Sequence, residues 1–66
     1  MDESDLPQVF ARCFRGGDGA RALRHLRGLT LDIATGPDIP DTRLRHLEGQ
    51  RFIVNHIVKL IERGQQ

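Results

Sequence analysis

The sequence predicts an all-α domain in which two short N-terminal helices pack on one long C-terminal helix, with an irregular loop between. Three observations predict it. The run from Thr42 to Arg63 sets Leu44, Leu47, Ile53, Val54, Ile57, Val58, Leu60 and Ile61 on one broad arc at about 100° per residue. Near the N-terminus, Leu6, Val9, Phe10, Cys13 and Phe14 follow the i, i+3, i+4, i+7, i+8 spacing of an amphipathic helix. Breaks at Gly16-Gly17, at Gly28 and across Thr35 to Pro40 divide the rest. There is no repeat, low-complexity tract or linker, so residues 1–66 read as a single small helical domain.

The first helix is predicted over Leu6 to Arg15. Asp5 offers an N-cap, Gln8 completes a capping-box pattern, and Pro7 falls in the first turn, where its missing N–H is tolerated. Gly16-Gly17 can supply a left-handed stop. The second helix opens on Asp18 as its cap, places Ala22, Leu23 and Leu26 on one face, and stops at Gly28. Leu29-Thr30-Leu31-Asp32-Ile33 alternates with a period of two, but no second strand is visible to pair with it. It reads as an extended segment or a continuation of the helix that lays Leu29, Leu31 and Ile33 on the core. A strand pairing with a partner is the other reading. Asp41 or Thr42 caps the long helix, and Met1 to Ser4 reads as a frayed acidic tail.

Composition narrows the function classes. A 66-residue chain buries only about 60% of its unfolded surface, so its core is marginal and gains from a partner or from self-association. One cysteine, Cys13, forms no intrachain disulfide and no metal framework, which fits a reducing compartment. The start Met1-Asp2-Glu3-Ser4-Asp5 lacks the basic and apolar regions of a signal peptide, and no apolar stretch approaches the ~18 residues of a membrane span. The expected location is the cytoplasm of a cell. Net charge is +1, so overall charge steers nothing strongly. Its distribution is uneven: Arg21, Arg24 and Arg27 cluster without an acid, whereas Asp32, Asp38 and Asp41 follow without a base.

No residue set specifies a chemistry. Arg15-Gly16-Gly17-Asp18-Gly19 opens a helix, but no Lys-Ser/Thr follows and Asp18 stands where an anion would sit. His25, His46 and His56 with Cys13 lack metal-ligand spacing, so no metal and no cofactor are expected. Cys13 reads as a small buried hydrophobe on the apolar face of the first helix. No nucleophile–base pair can be argued, and no enzyme or small-molecule substrate is expected. Arg21, Arg24, Arg27, Arg43 and Arg45 are the candidate nucleic-acid contacts, though aromatic interleaving is absent.

The long helix carries the anomalies. Gly49 sits mid-helix, where it makes sense if another backbone approaches closely. Gln50 and Arg51 fall on or beside the apolar arc and are expected to bond to the Gly-rich turn or to loop carbonyls. Phe52 points about 80° off the arc, among Glu48, Asn55, His56 and Lys59. It is either an anchor for a partner or a residue wrapped by the first helix. Phe52, Leu29, Leu31 and Ile33 are therefore the candidate partner interface.

Phe10 and Phe14, Asp18-Gly19 ahead of Ala22-Leu23-Arg24-His25-Leu26, and Gly49-Gln50-Arg51 followed by Ile53-Val54 and Ile57 form a recognisable series. It resembles a family of small tailed-bacteriophage and prophage proteins typified by a Bordetella phage open reading frame. The resemblance spans about residues 9–61. The chain departs from it after the second helix, where family members tend to carry a bulky aromatic. The resemblance implies phage or prophage origin and a gene among virion and packaging genes. It implies no enzymatic activity and brings no binding residues. The expected function is a non-enzymatic accessory protein acting by protein–protein contact in virion assembly or DNA packaging, as an oligomer or docked on a larger protein. It would act in the bacterial host cytoplasm, with the virion as a second destination. An inhibitor of a host defence protein and a nucleic-acid-binding accessory protein are the alternatives.

Overall fold

The computed structural model describes residues 3–66, and of Glu3 the backbone alone. Met1 and Asp2, the start of the expected acidic tail, lie outside the described residues. A 3₁₀ turn, Glu3–Asp5, leads into α1 (Leu6–Cys13), followed by α2 (Gly16–Leu29) and α3 (Asp41–Gly64). No strand is present among the described residues, and the predicted all-α architecture holds.

Helix α1 begins where the sequence placed it, with Pro7 buried in its first turn. Asp5 makes no side-chain capping bond. Its backbone, at φ −97° and ψ 4°, continues the 3₁₀ turn instead of taking the extended geometry a side-chain cap needs. The helix ends two residues before the expected Arg15: the Phe14 N–H donates to the Phe10 carbonyl at 3.1 Å, and Arg15 is extended. Gly16 and Gly17 do not stop α1 but open α2. Gly16 has φ +86°, open to glycine, so the chain reverses direction there. Asp18 lies in the first turn of α2, where its charge complements the helix dipole, and is not the cap. Gly19 is where α2 folds back on α1. A Cβ there would lie 2.7 Å from the Cys13 carbonyl oxygen and 2.7 Å from Phe14 Cα.

Helix α2 runs through Gly28 to Leu29, one residue past the expected stop. Three donors satisfy its last carbonyls. The Thr30 hydroxyl donates to the Leu26 carbonyl at 2.8 Å. The N–H groups of Thr30 and Asp32 both donate to the Arg27 carbonyl, at 3.1 and 2.9 Å. Of the readings of Leu29 to Ile33, helix continuation is correct for Leu29, and turn and irregular chain follow. The expectation that this stretch lays its apolar side chains on the core fails for two of them. Leu29 is 53% and Ile33 39% exposed, while Leu31 is half-buried. Here the Thr30 and Ile33 carbonyls face α3 and accept from Arg51.

Pro40, extended at φ −63° and ψ 146°, stands at the N-cap of α3. Neither Asp41 nor Thr42 supplies a capping bond; Asp41 lies in the first turn and Arg63 in the last, each complementing the dipole. The core is thin. Val54, Leu60 and Ile61 are its buried hydrophobic residues, Pro7 and Thr30 join them, and no side chain among the described residues is fully buried. Helix α1 lies along the C-terminal half of α3, drawn close by Gly64, whose missing Cβ leaves room for the Pro7 carbonyl and the Ala11 methyl. Along α1 and its C-cap, Leu6, Pro7, Phe10, Ala11 and Phe14 are the covered residues; the rings of Phe10 and Phe14 stack with centroids 6.4 Å apart. This choice turns Cys13 outward. It is exposed, contrary to the buried position expected for it.

Candidate functional site

The radius of gyration is 14.0 Å, against about 11 Å for a closed globule of this length. The principal extents are 42 × 27 × 18 Å. The excess comes from α3, which reaches past the elements that cover it.

One side chain fastens the connection between α2 and α3. The guanidinium of Arg51 donates through Nε to the Thr30 carbonyl at 2.8 Å and through Nη2 to the Ile33 carbonyl at 2.7 Å. Nη1 donates to Glu48 Oε1, one turn back, at 3.0 Å. The fork of donors on a planar cation suits this task, since one group holds two successive bends of the chain. Of the two expected sets of acceptors for Arg51, the Gly-rich turn and loop carbonyls, the second is the one it meets. Gln50 does not join it: it is exposed, its amide nitrogen 3.2 Å from His46 Nε2.

On the far side of α3 lies an apolar face that its own chain leaves open. Phe52 is 72% exposed and Ile53 56% exposed. Helix α1 does not wrap this side, so of the two readings of Phe52 the uncovered one holds. Ile53, Gly49 and Leu29 border a shallow groove between α2 and α3, floored by Leu26 and Val54. Leu29 and Ile33 border a second groove, below the α2–α3 loop. The candidate interface residues are therefore not one cluster. Leu29 and Ile33 share a groove, and Phe52 stands on the neighbouring face of α3, one turn from Gly49.

Two members of this face, Gly49 and Ile53, were read differently from sequence. Periodicity puts Ile53 on the apolar arc, but that arc exceeds what the two short helices cover. Gly49 was expected to meet another backbone. Nothing lies within 4 Å of where its Cβ would be. A glycine there costs the helix about 1 kcal/mol relative to alanine, with no compensating contact inside the chain. Gly19, part of the Asp18-Gly19 motif, and Gly64, which no sequence signal distinguishes, are the ones against which backbone packs.

The candidate nucleic-acid contacts are mostly surface groups. Arg21, Arg24, Arg43 and Arg45 are exposed, and none takes part in the ion pairs among the described residues. Arg27 is half-buried, with Asp32 at 4.0 Å. Among the described residues, no group of three or more His, Cys, Asp or Glu is placed to hold a metal ion. No helix of the described residues is long and apolar enough to cross a membrane.

The model of the Bbp19-like phage protein family matches residues 10–62. The chain belongs to that family. It is thus a small phage protein, as the Asp18-Gly19 and Gly49-Gln50-Arg51 pairing suggested. No curated protein and no solved structure matches it significantly. Within the matched span, this Bbp19-like chain uses its motif residues in distinct ways. Gly19 admits the end of α1, Arg51 fastens the α2–α3 connection, and Gly49 is left facing outward.

Proposed function

We propose that this Bbp19-like protein is a non-enzymatic accessory protein of a tailed phage or prophage, acting by protein–protein contact in virion assembly or DNA packaging. The observation that carries the reading is Phe52, 72% exposed next to the 56% exposed Ile53, in a fold with no fully buried side chain among the described residues. An exposed aromatic next to an exposed aliphatic side chain and rimmed by charge has the composition of an interface centre. A thin core gives a second motive, since docking on another protein covers what the monomer cannot. The partner is a protein, either a second copy or a larger component. Neither a cofactor nor a small-molecule substrate enters the reading. The protein works in the host cytoplasm and can enter the virion. Exposed Arg21, Arg24, Arg43 and Arg45 support nucleic-acid contact less well, because the net charge is only +1 and no aromatic lies among them.

Fractionation of induced or infected cells tests this. The protein should travel with virions or with packaging intermediates, and Phe52→Ala should release it. A protein found only in particle-free fractions on a host protein overturns the assembly reading and establishes an inhibitor.

A further inference from the structure

Gly49 and Phe52 lie three residues apart on one face of α3, the first a hollow and the second a projection. A face that carries both a knob and a hole is complementary to itself under a two-fold rotation. We infer that a second copy of this chain packs antiparallel on this face, each Phe52 ring seated over the Gly49 of the other copy. The inference rests on the protein-contact reading and names the partner.

Charge supports this occupant and this direction. Asp41 and Lys59 share the Phe52 side of the helix wheel, one near each end of α3. Antiparallel pairing centred between Gly49 and Phe52 brings Asp41 of one copy opposite Lys59 of the other, within about one residue, or about 1.5 Å of rise. Arg45 then comes opposite His56, whose imidazole can accept a guanidinium N–H. A parallel pair would set Arg45 on Arg45 and Lys59 on Lys59, like on like, and would leave glycine against glycine. Lys59 already lies 3.8 Å from Glu62, but both are exposed, and such surface pairs are weak competitors. Antiparallel α3 helices also align their dipoles favourably. With no Cβ at position 49, the two helix axes can approach closer than the usual ~8–10 Å, which lets the ring reach the backbone.

The test is the mass of the full chain by light scattering or sedimentation across a concentration series. The expected result is a monomer–dimer equilibrium. Phe52→Ala and Gly49→Leu should each raise the dissociation constant about tenfold or more with helix content unchanged, since both sites are exposed. Asp41→Lys and Lys59→Asp should each weaken the dimer, and their combination should restore it. A monomer at every concentration overturns the inference, as does a dimer indifferent to Phe52 and Gly49. A dimer whose charge exchange is not rescued overturns the antiparallel register. If the chain is monomeric yet still travels with phage particles, the dimer alone fails and the protein-contact reading stands.

Discussion

Replacing Arg51 by alanine removes the fastening between α2 and α3. Three hydrogen bonds go with it, of unequal weight. Thr30 is 6% exposed, so the carbonyl that accepts Arg51 Nε loses a charged donor and gains little water. That loss amounts to about 2 kcal/mol. The Ile33 carbonyl is exposed and recovers water, so its bond contributes about 1 kcal/mol. The pair with Glu48 lies at the surface and adds about 0.3–0.5 kcal/mol. The sum is about 3 kcal/mol. A domain of this size has about 3–10 kcal/mol of stability in total, so Arg51→Ala removes between a third and all of it.

Urea denaturation followed by circular dichroism reads the global loss. Arg51→Lys should fall between wild type and alanine, because an ammonium reaches one carbonyl well but not two in fixed directions. Hydrogen exchange at the Asp32 amide, bonded to the Arg27 carbonyl at 2.9 Å, reports the turn itself. It should accelerate in Arg51→Ala even where the helices persist. A stability change below about 0.5 kcal/mol, the range of an ordinary surface substitution, would refute the assignment of Arg51 as the fastening.

Core and surface should separate sharply along α3. Leu60→Ala and Ile61→Ala should each lose about 2–4 kcal/mol in the same denaturation, and Ile53→Ala less than about 1; the reverse ranking would mean α3 is rotated. Gly64→Ala should cost about 1–3 kcal/mol by pushing α1 off α3 at Pro7. Gly49→Ala should instead raise the stability of the dilute monomer by up to about 1 kcal/mol. Nucleic acid should bind weakly and fall steeply with added salt. Binding that survives physiological salt and is lost with Arg21 and Arg24 would move the function to nucleic acid.

Periodicity carried most of the fold. Apolar spacing at 3.6 residues located all three helices and put Val54, Leu60 and Ile61 on the inner arc of α3. What it could not settle was phase and ends. In α1 two strips compete, Val9-Cys13 and Pro7-Phe10-Ala11-Phe14. Packing chose the second because Ala11 fits against Gly64, a contact about 50 residues away that no local pattern contains. The helix ends were misplaced for a similar reason. Asp5, Asp18 and Asp41 all have capping chemistry, yet none caps, since backbone geometry from the preceding turn decides whether a carboxylate reaches an N–H. Arg51 was legible because a guanidinium beside an apolar arc must find acceptors, and the only abundant ones nearby are carbonyls of an irregular loop.

Lengths explain why the fold stops short of closing. At about 1.5 Å per residue, α3 is ~36 Å long and α1 ~12 Å. Helix α1 therefore covers about a third of α3, at the C-terminal end where Leu60 and Ile61 are buried. Helix α2 meets α3 mainly through Thr30 and the Arg51 fastening, which hold backbone rather than hydrophobic side chains against it. The middle of α3 is thus covered on one side only. Gly49 lies in that middle, on the open side. Gly19 and Gly64 each sit where a second element of the same chain presses in, and each would collide if it carried a methyl. Gly17, Gly28 and Gly49 are the helical glycines with negative φ and nothing within 4 Å of a Cβ; Gly17 and Gly28 lie within two residues of the ends of α2, whereas Gly49 lies well inside α3, at the position the inferred dimer contact uses.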